Sequence, residues 1–109
     1  MEKIIAIDGK NYRLVANGAT PRVYRGLFHK DLFNGMSNAV NEKGEIRDSE
    51  VFENLAFCMA VQSGELSAQT KIDDWLGAMT SPLAIIEAAP DIMEMWTAET
   101  DTLSQEKKE

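Results

Sequence analysis

The chain is poor in the residues that usually announce a chemistry. It holds one cysteine, Cys58, and one histidine, His29, among 109 residues. A lone cysteine excludes an internal disulfide and fits a reducing cytoplasm. No nucleophile elbow is present to turn a Cys–His pair into a catalytic constellation. "IDGK" at residues 7–10 is no phosphate loop, because the second glycine and the following helix are missing. No apolar run approaches the roughly 18–20 residues of a membrane span. The opening "MEKIIAIDGK" has too short an apolar stretch for a secretory signal.

Positive charge is scarce after the first quarter of the chain. Residues 1–30 carry six Lys/Arg against Glu2 and Asp8, whereas residues 31–109 carry five against sixteen acids. Between Asp48 and Asp101 Lys71 is the one base among eleven acids. This acidic body repels phosphate, so neither nucleic acid nor an anionic membrane is an expected partner. The remaining composition, 44% hydrophobic and 27% charged, is that of a soluble globular domain.

Periodicity organises what is there. "KIIAIDGKNYRLVA" reads as a β-hairpin with Ile5, Ile7, Tyr12 and Leu14 on one face. A turn centred on Gly9-Lys10 pairs Ile7 with Tyr12 and Ile5 with Leu14. A turn on Asp8-Gly9 suits type I′ but sets Ile7 opposite Lys10. The first register is preferred because it matches apolar residue to apolar residue. Thr20 and Pro21 then read as the N-cap and first position of a helix reaching about Val40, with a break near residues 29–31. Its stripe is Val23, Leu27, Phe28, Leu32, Phe33, Met36 and Val40.

"NEKGEIR" is a polar loop. Asp48 or Ser49 caps a second helix with the stripe Val51, Leu55, Cys58, Met59 and Gln62, Phe52 and Ala56 beside it, ended by Gly64. A short helix covers about Lys71 to Met79, with Ile72, Trp75, Leu76 and Met79 on one face. Ser81-Pro82 opens the last helix, whose stripe is Leu83, Ile86, Ala89, Ile92, Met93 and Trp96. Pro90 inside it predicts a kink or two abutting helices. The expected fold is α+β, mainly α: an N-terminal hairpin on a bundle of about four helices. It forms a single domain over residues 1–98, followed by a flexible, disordered polar tail over 99–109.

The candidate sites divide into chemistry and contact. Cys58 lies in an apolar stripe and reads as core. Glu87, Asp91 and Glu94 share a helix face; without a cation-binding loop they read as a solvated face. No catalytic residue, cofactor or metal is expected. Arg22 and Arg25 sit early in the first helix, followed by His29 and Lys30, where the helix dipole favours acids. Two uses remain open. These cations pair with the chain's own acidic body, for instance Glu50 or Glu53. Alternatively they meet the body of a second copy, a heterologous contact that yields rings or helical arrays. Trp75 and Trp96 are partner anchors or core, and Met36, Met59, Met79, Met93 and Met95 are adaptable contacts or core filler. The candidate protein-binding residues are Arg22, Arg25, Lys30, Trp75, Met79, Met95 and Trp96.

Several stretches together resemble the small tail assembly chaperones of long-tailed phages and prophages of Gram-positive bacteria. They are "IDGKNYRL", "GATPRVYRGLFHKDLF", "DSEVFENLAFCMAVQ", "IDDWLGAM" and "SPLAIIEAAPDIMEMW", in this order, with the lysine-bearing tail after them. The resemblance runs from about Ile4 to Thr102. It implies a non-enzymatic protein of the host bacterial cytoplasm that is absent from the finished virion. Its partner would be the tape-measure protein, kept soluble until tail-tube subunits polymerise around it. It further implies a longer form made by ribosomal frameshifting, which recruits tail-tube protein; Lys107-Lys108 is compatible with such a slippage site. Self-association is the other expected contact. From a different class, an acidic regulator that imitates the charge of DNA to block a nucleic-acid enzyme is the competing reading.

Overall fold

A computed structural model describes residues 1–97 in full and, for residues 98–108, the helical backbone alone. The polar tail expected over 99–109 lies outside the fully described residues. Two strands and five helices follow one another. As expected, the fold is α+β and mainly helical.

Strands β1 (Glu2–Ile7) and β2 (Lys10–Val15) form an antiparallel hairpin. Its register corrects the preferred one: Ile5 opposes Tyr12 and Ile7 opposes Lys10. Asp8 and Gly9 both take positive φ, 56° and 78°, as a two-residue type I′ turn requires. Turn chemistry prevails because the apolar mismatch costs little. Lys10 is exposed and holds its ammonium 5.3 Å from the Tyr12 ring centroid. The two registers differ by two residues, so the inward face is the same in both. Ile5, Ile7, Tyr12 and Leu14 are buried.

Helix α1 (Thr20–Phe28) begins one residue earlier than expected, with Ala19 at the N-cap and no side-chain cap. Thr20 is instead a buried knot. Its hydroxyl accepts from the Asn17 amide at 2.9 Å and donates to Gln62 Oε1 at 2.7 Å. His29 ends α1 in the left-handed region, φ 58°, its amide on the Arg25 carbonyl at 2.8 Å. Asp31 then caps α2 (Leu32–Ala39) through the Asn34 amide. The expected break near residues 29–31 is therefore present.

The segment after α2 folds back on itself: Val40 bridges Ile46, and the Asn41 carboxamide accepts from the Lys43 and Glu45 amides at 2.9 Å each. Asp48 caps α3 (Ser49–Ser63), and Gly64 closes it at φ 84°. The buried surface of α3 is wider than the expected stripe and its two neighbours, adding Asn54, Phe57 and Ala60, while Gln62 is half-buried. Val51, Phe52 and every residue from Asn54 to Ala60 are buried, because α1, α2, α5 and β2 all pack around this helix. Buried Asn54 donates to the Tyr24 hydroxyl at 3.4 Å. Arg13 binds both Glu2 and the Ser63 carbonyl, placing a cation on the negative end of α3.

Helix α4 (Ile72–Gly77) contributes Trp75, whose indole donates to the Tyr12 hydroxyl at 3.3 Å. Helix α5 (Ala84–Lys108) starts beyond the expected Ser81-Pro82 pair and runs through Pro90 as one element, not two. Ser81 caps a preceding turn by accepting from the Leu83 amide at 3.1 Å. The buried face of α5 is Ala84, Ile85, Ala88, Ala89, Ile92 and Met95. This corrects the expected stripe: Leu83 and Ile86 point outward, 54% and 44% exposed.

Candidate protein-binding site

The two side chains considered for chemistry, Cys58 and His29, are kept apart. Cys58 is buried, its Sγ 3.8 Å from the Thr20 carbonyl at the start of α1. His29 follows the other end of that helix, about 13 Å away at 1.5 Å per residue. Burial pushes the Cys58 thiol up to about 12, far from a reactive thiolate at neutral pH. Glu87, Asp91 and Glu94 do share a face of α5. The Lys3 ammonium sits over two of them, 3.6 Å from Asp91 and 3.1 Å from Glu94. Its own pKa is raised, first by the Glu94 hydrogen bond.

The basic head splits between the two uses left open. Lys30 pairs with Glu50 at 2.9 Å, within the chain. Arg22 and Arg25 are exposed and meet no acid within salt-bridge distance among the described residues. Arg25 is also better placed than expected. Because α1 ends at Phe28, this arginine lies in the last turn, where a cation is favourable.

Of the expected apolar contacts, Trp75 and Met95 belong to the core, 7% and 0% exposed, and so present no surface to a partner. Met79 is half-buried against that core. Trp96 is half-buried on the outside of α5, where its ring stacks at a tilt on Phe33, centroids 5.3 Å apart.

Trp96 and Phe33 are one end of an apolar strip that the sequence reading missed. At 100° per residue, Ile86, Pro90, Met93 and Thr97 fall within about 60° of arc on α5. Two hollows lie along this line and share Met93. One, of about 390 Å³, is walled by Phe33, Met36, Val40 and Trp96. The other, of about 370 Å³, is walled by Phe52, Ile46, Ile86 and Pro90. Phe33 is 54% exposed and Ile46 37%, although both are large and apolar.

The fold positions each wall by a local rule. The α1–α2 break at His29 turns Phe33 outward while Leu32 and Met36 go in. The Val40–Ile46 bridge brings Ile46 back to α5. Proline at 90 removes one amide from the helical ladder and sets its ring on the strip. Glu87, Asp91 and Glu94 occupy the adjacent arc of about 60°, so one bank of the strip is a row of acids. The signals available in advance were weak: Phe33 fits an inward stripe, and Ile46 is the one large apolar residue of "NEKGEIR". Comparison with known protein families, with curated proteins and with solved structures found no match.

Proposed function

We propose that this protein is a tail assembly chaperone of the kind its sequence resembles, covering apolar helical segments of a tape-measure protein until the tail tube polymerises around them. The strip along α5 is the observation that carries this reading. It is an exposed, elongated apolar surface on a chain of net charge −7. Exposed apolar strips of this kind mark contact sites. Each bound copy replaces greasy helix surface with an acidic body, so coated clients repel one another. Met93, shared by both hollows, is an unbranched, polarizable contact suited to many different sequences. Weak single contacts repeated along a long client add up through avidity.

The charge-imitating regulator draws less support. Lys3 and Lys30 neutralise part of the acidic surface, which is thereby no continuous track. Co-expression with a tape-measure protein from a long-tailed phage of Gram-positive bacteria tests the proposal. Wild type raises the soluble fraction of that client, and Met93→Asp or Phe33→Asp loses the effect while circular dichroism shows an intact fold. Equal client solubility with wild type, with the variants and without either overturns it.

A further inference from the structure

Resting on that reading, we infer that the strip takes a basic amphipathic helix of about three turns, whose cations line one flank and meet Glu87, Asp91 and Glu94. The length follows from geometry. From Ile86 to Thr97 the strip covers about 16 Å at 1.5 Å per residue. A helix laid along it presents apolar residues at i, i+3 or i+4, and i+7. These enter the two hollows on either side of Met93.

The charge follows from the banks, which differ. On the α5 side stand three acids, and Lys3 offsets one charge by lying between Asp91 and Glu94. Glu87 is exposed and makes no ion pair among the described residues. Across the strip, α2 offers the neutral Ser37, and in the turn beyond it Lys43 and Arg47 balance Glu42 and Glu45. A helix basic on one flank therefore has a preferred direction on the strip. An acidic helix is repelled by the row and by the chain's net charge of −7. A second copy of this chain docking through its own α5 brings a like-charged row and is disfavoured for the same reason.

Two synthetic helices of about 18 residues test this against the full-length protein. Both carry the same leucine stripe; one is flanked by lysine and the other by glutamate. Binding is titrated calorimetrically at roughly 0.05 M and 0.5 M salt. The lysine helix is expected to bind about tenfold or more tightly at low salt, with the margin shrinking at high salt. Glu87→Lys weakens it about two- to fivefold and leaves the melting temperature unchanged. Met93→Asp abolishes binding of both helices. Equal affinity for the two helices, still lost in Met93→Asp, overturns the charge inference and leaves the apolar strip standing. Binding of either helix that survives Met93→Asp, or no binding at all, overturns both. A wild-type dimer that persists at high salt and dissociates in Met93→Asp places a second copy in the strip and also overturns the inference.

Discussion

Met95 and Met93 are two residues apart on α5, and the structure assigns them opposite fates. Met95 is fully enclosed, whereas Met93 forms the floor shared by two open hollows. Truncating Met95 to alanine removes a buried thioether chain and leaves a cavity, at a cost of about 2–5 kcal/mol. In a domain of this size each kcal/mol moves the melting temperature by about 4–8 °C. Met95→Ala should thus lower it by at least about 8 °C. The paired perturbation is Phe33→Ser on the strip. Phe33 is 54% exposed, and its main loss is the tilted ring contact with Trp96. Such a pair contributes about 0.5–1.5 kcal/mol beyond area burial. Re-exposing the half-buried ring adds roughly half of the 1.5–3 kcal/mol of a fully buried side chain, about 1–3 kcal/mol in all, so Phe33→Ser should lower the melting temperature by less than Met95→Ala. Scanning calorimetry with a parallel urea titration measures both. If Phe33→Ser proves the more damaging, Phe33 belongs to the core, the α2 wall is misplaced, and the strip is not a surface.

Other consequences follow from the same contacts. Because the folded Cys58 thiol is pushed up to about 12 from an ordinary 9.0, iodoacetamide at pH 8 should label it only after urea unfolding. The unfolded thiol ionises first, so stability declines as pH rises from about 9 towards 12; labelling of the native protein would refute the burial. Asp8 accepts from the Thr80 amide and hydroxyl and from the Ser81 amide, and these bonds, the Thr80 amide foremost, hold its carboxyl below the usual value. Its contribution is complete above the unfolded pKa near 3.8 and fades as pH falls through the lower folded value. Asp8→Asn should therefore flatten the acid limb of the stability curve. Gly64→Ala meets no neighbour but must adopt φ 84°, so it should destabilise by about 1 kcal/mol. Gly35→Ala, inside α2 with Val51 at an ordinary 3.6 Å, should stabilise by about 0.5–1 kcal/mol in urea titrations.

Much of the frame was legible because local chemistry agrees with it. The hairpin face, the break at His29, the Asp48 cap and the Gly64 stop all rest on short-range rules. The hairpin register was not, because apolar matching and turn type point to different answers, and the type I′ turn at Asp8-Gly9 prevails. The phase of α5 was hidden for another reason. Periodicity favours large side chains and runs through Leu83 and Ile86. The face packed towards α3 and β1 instead uses Ala84, Ala88 and Ala89, whose small size permits close approach. Rotating the stripe onto those alanines is what exposes Ile86 and creates the strip. The strip itself draws on α2, the turn bridged by Val40 and Ile46, and α5, three segments whose adjacency is tertiary. The basic head was half legible: Lys30 finds Glu50, as an intramolecular pairing predicts, while Arg25 is explained by where α1 stops.

The central claim is that another polypeptide lies along α5, and site-specific photo-crosslinking reads this most directly. A photoreactive residue placed at position 33, 86 or 93 during co-expression should capture the proposed client, a tape-measure protein. The same residue at exposed Gln69, beyond the far end of α3, should not. Capture at Gln69 equal to that at the strip, or none at all three strip positions while the client stays soluble, would contradict the account.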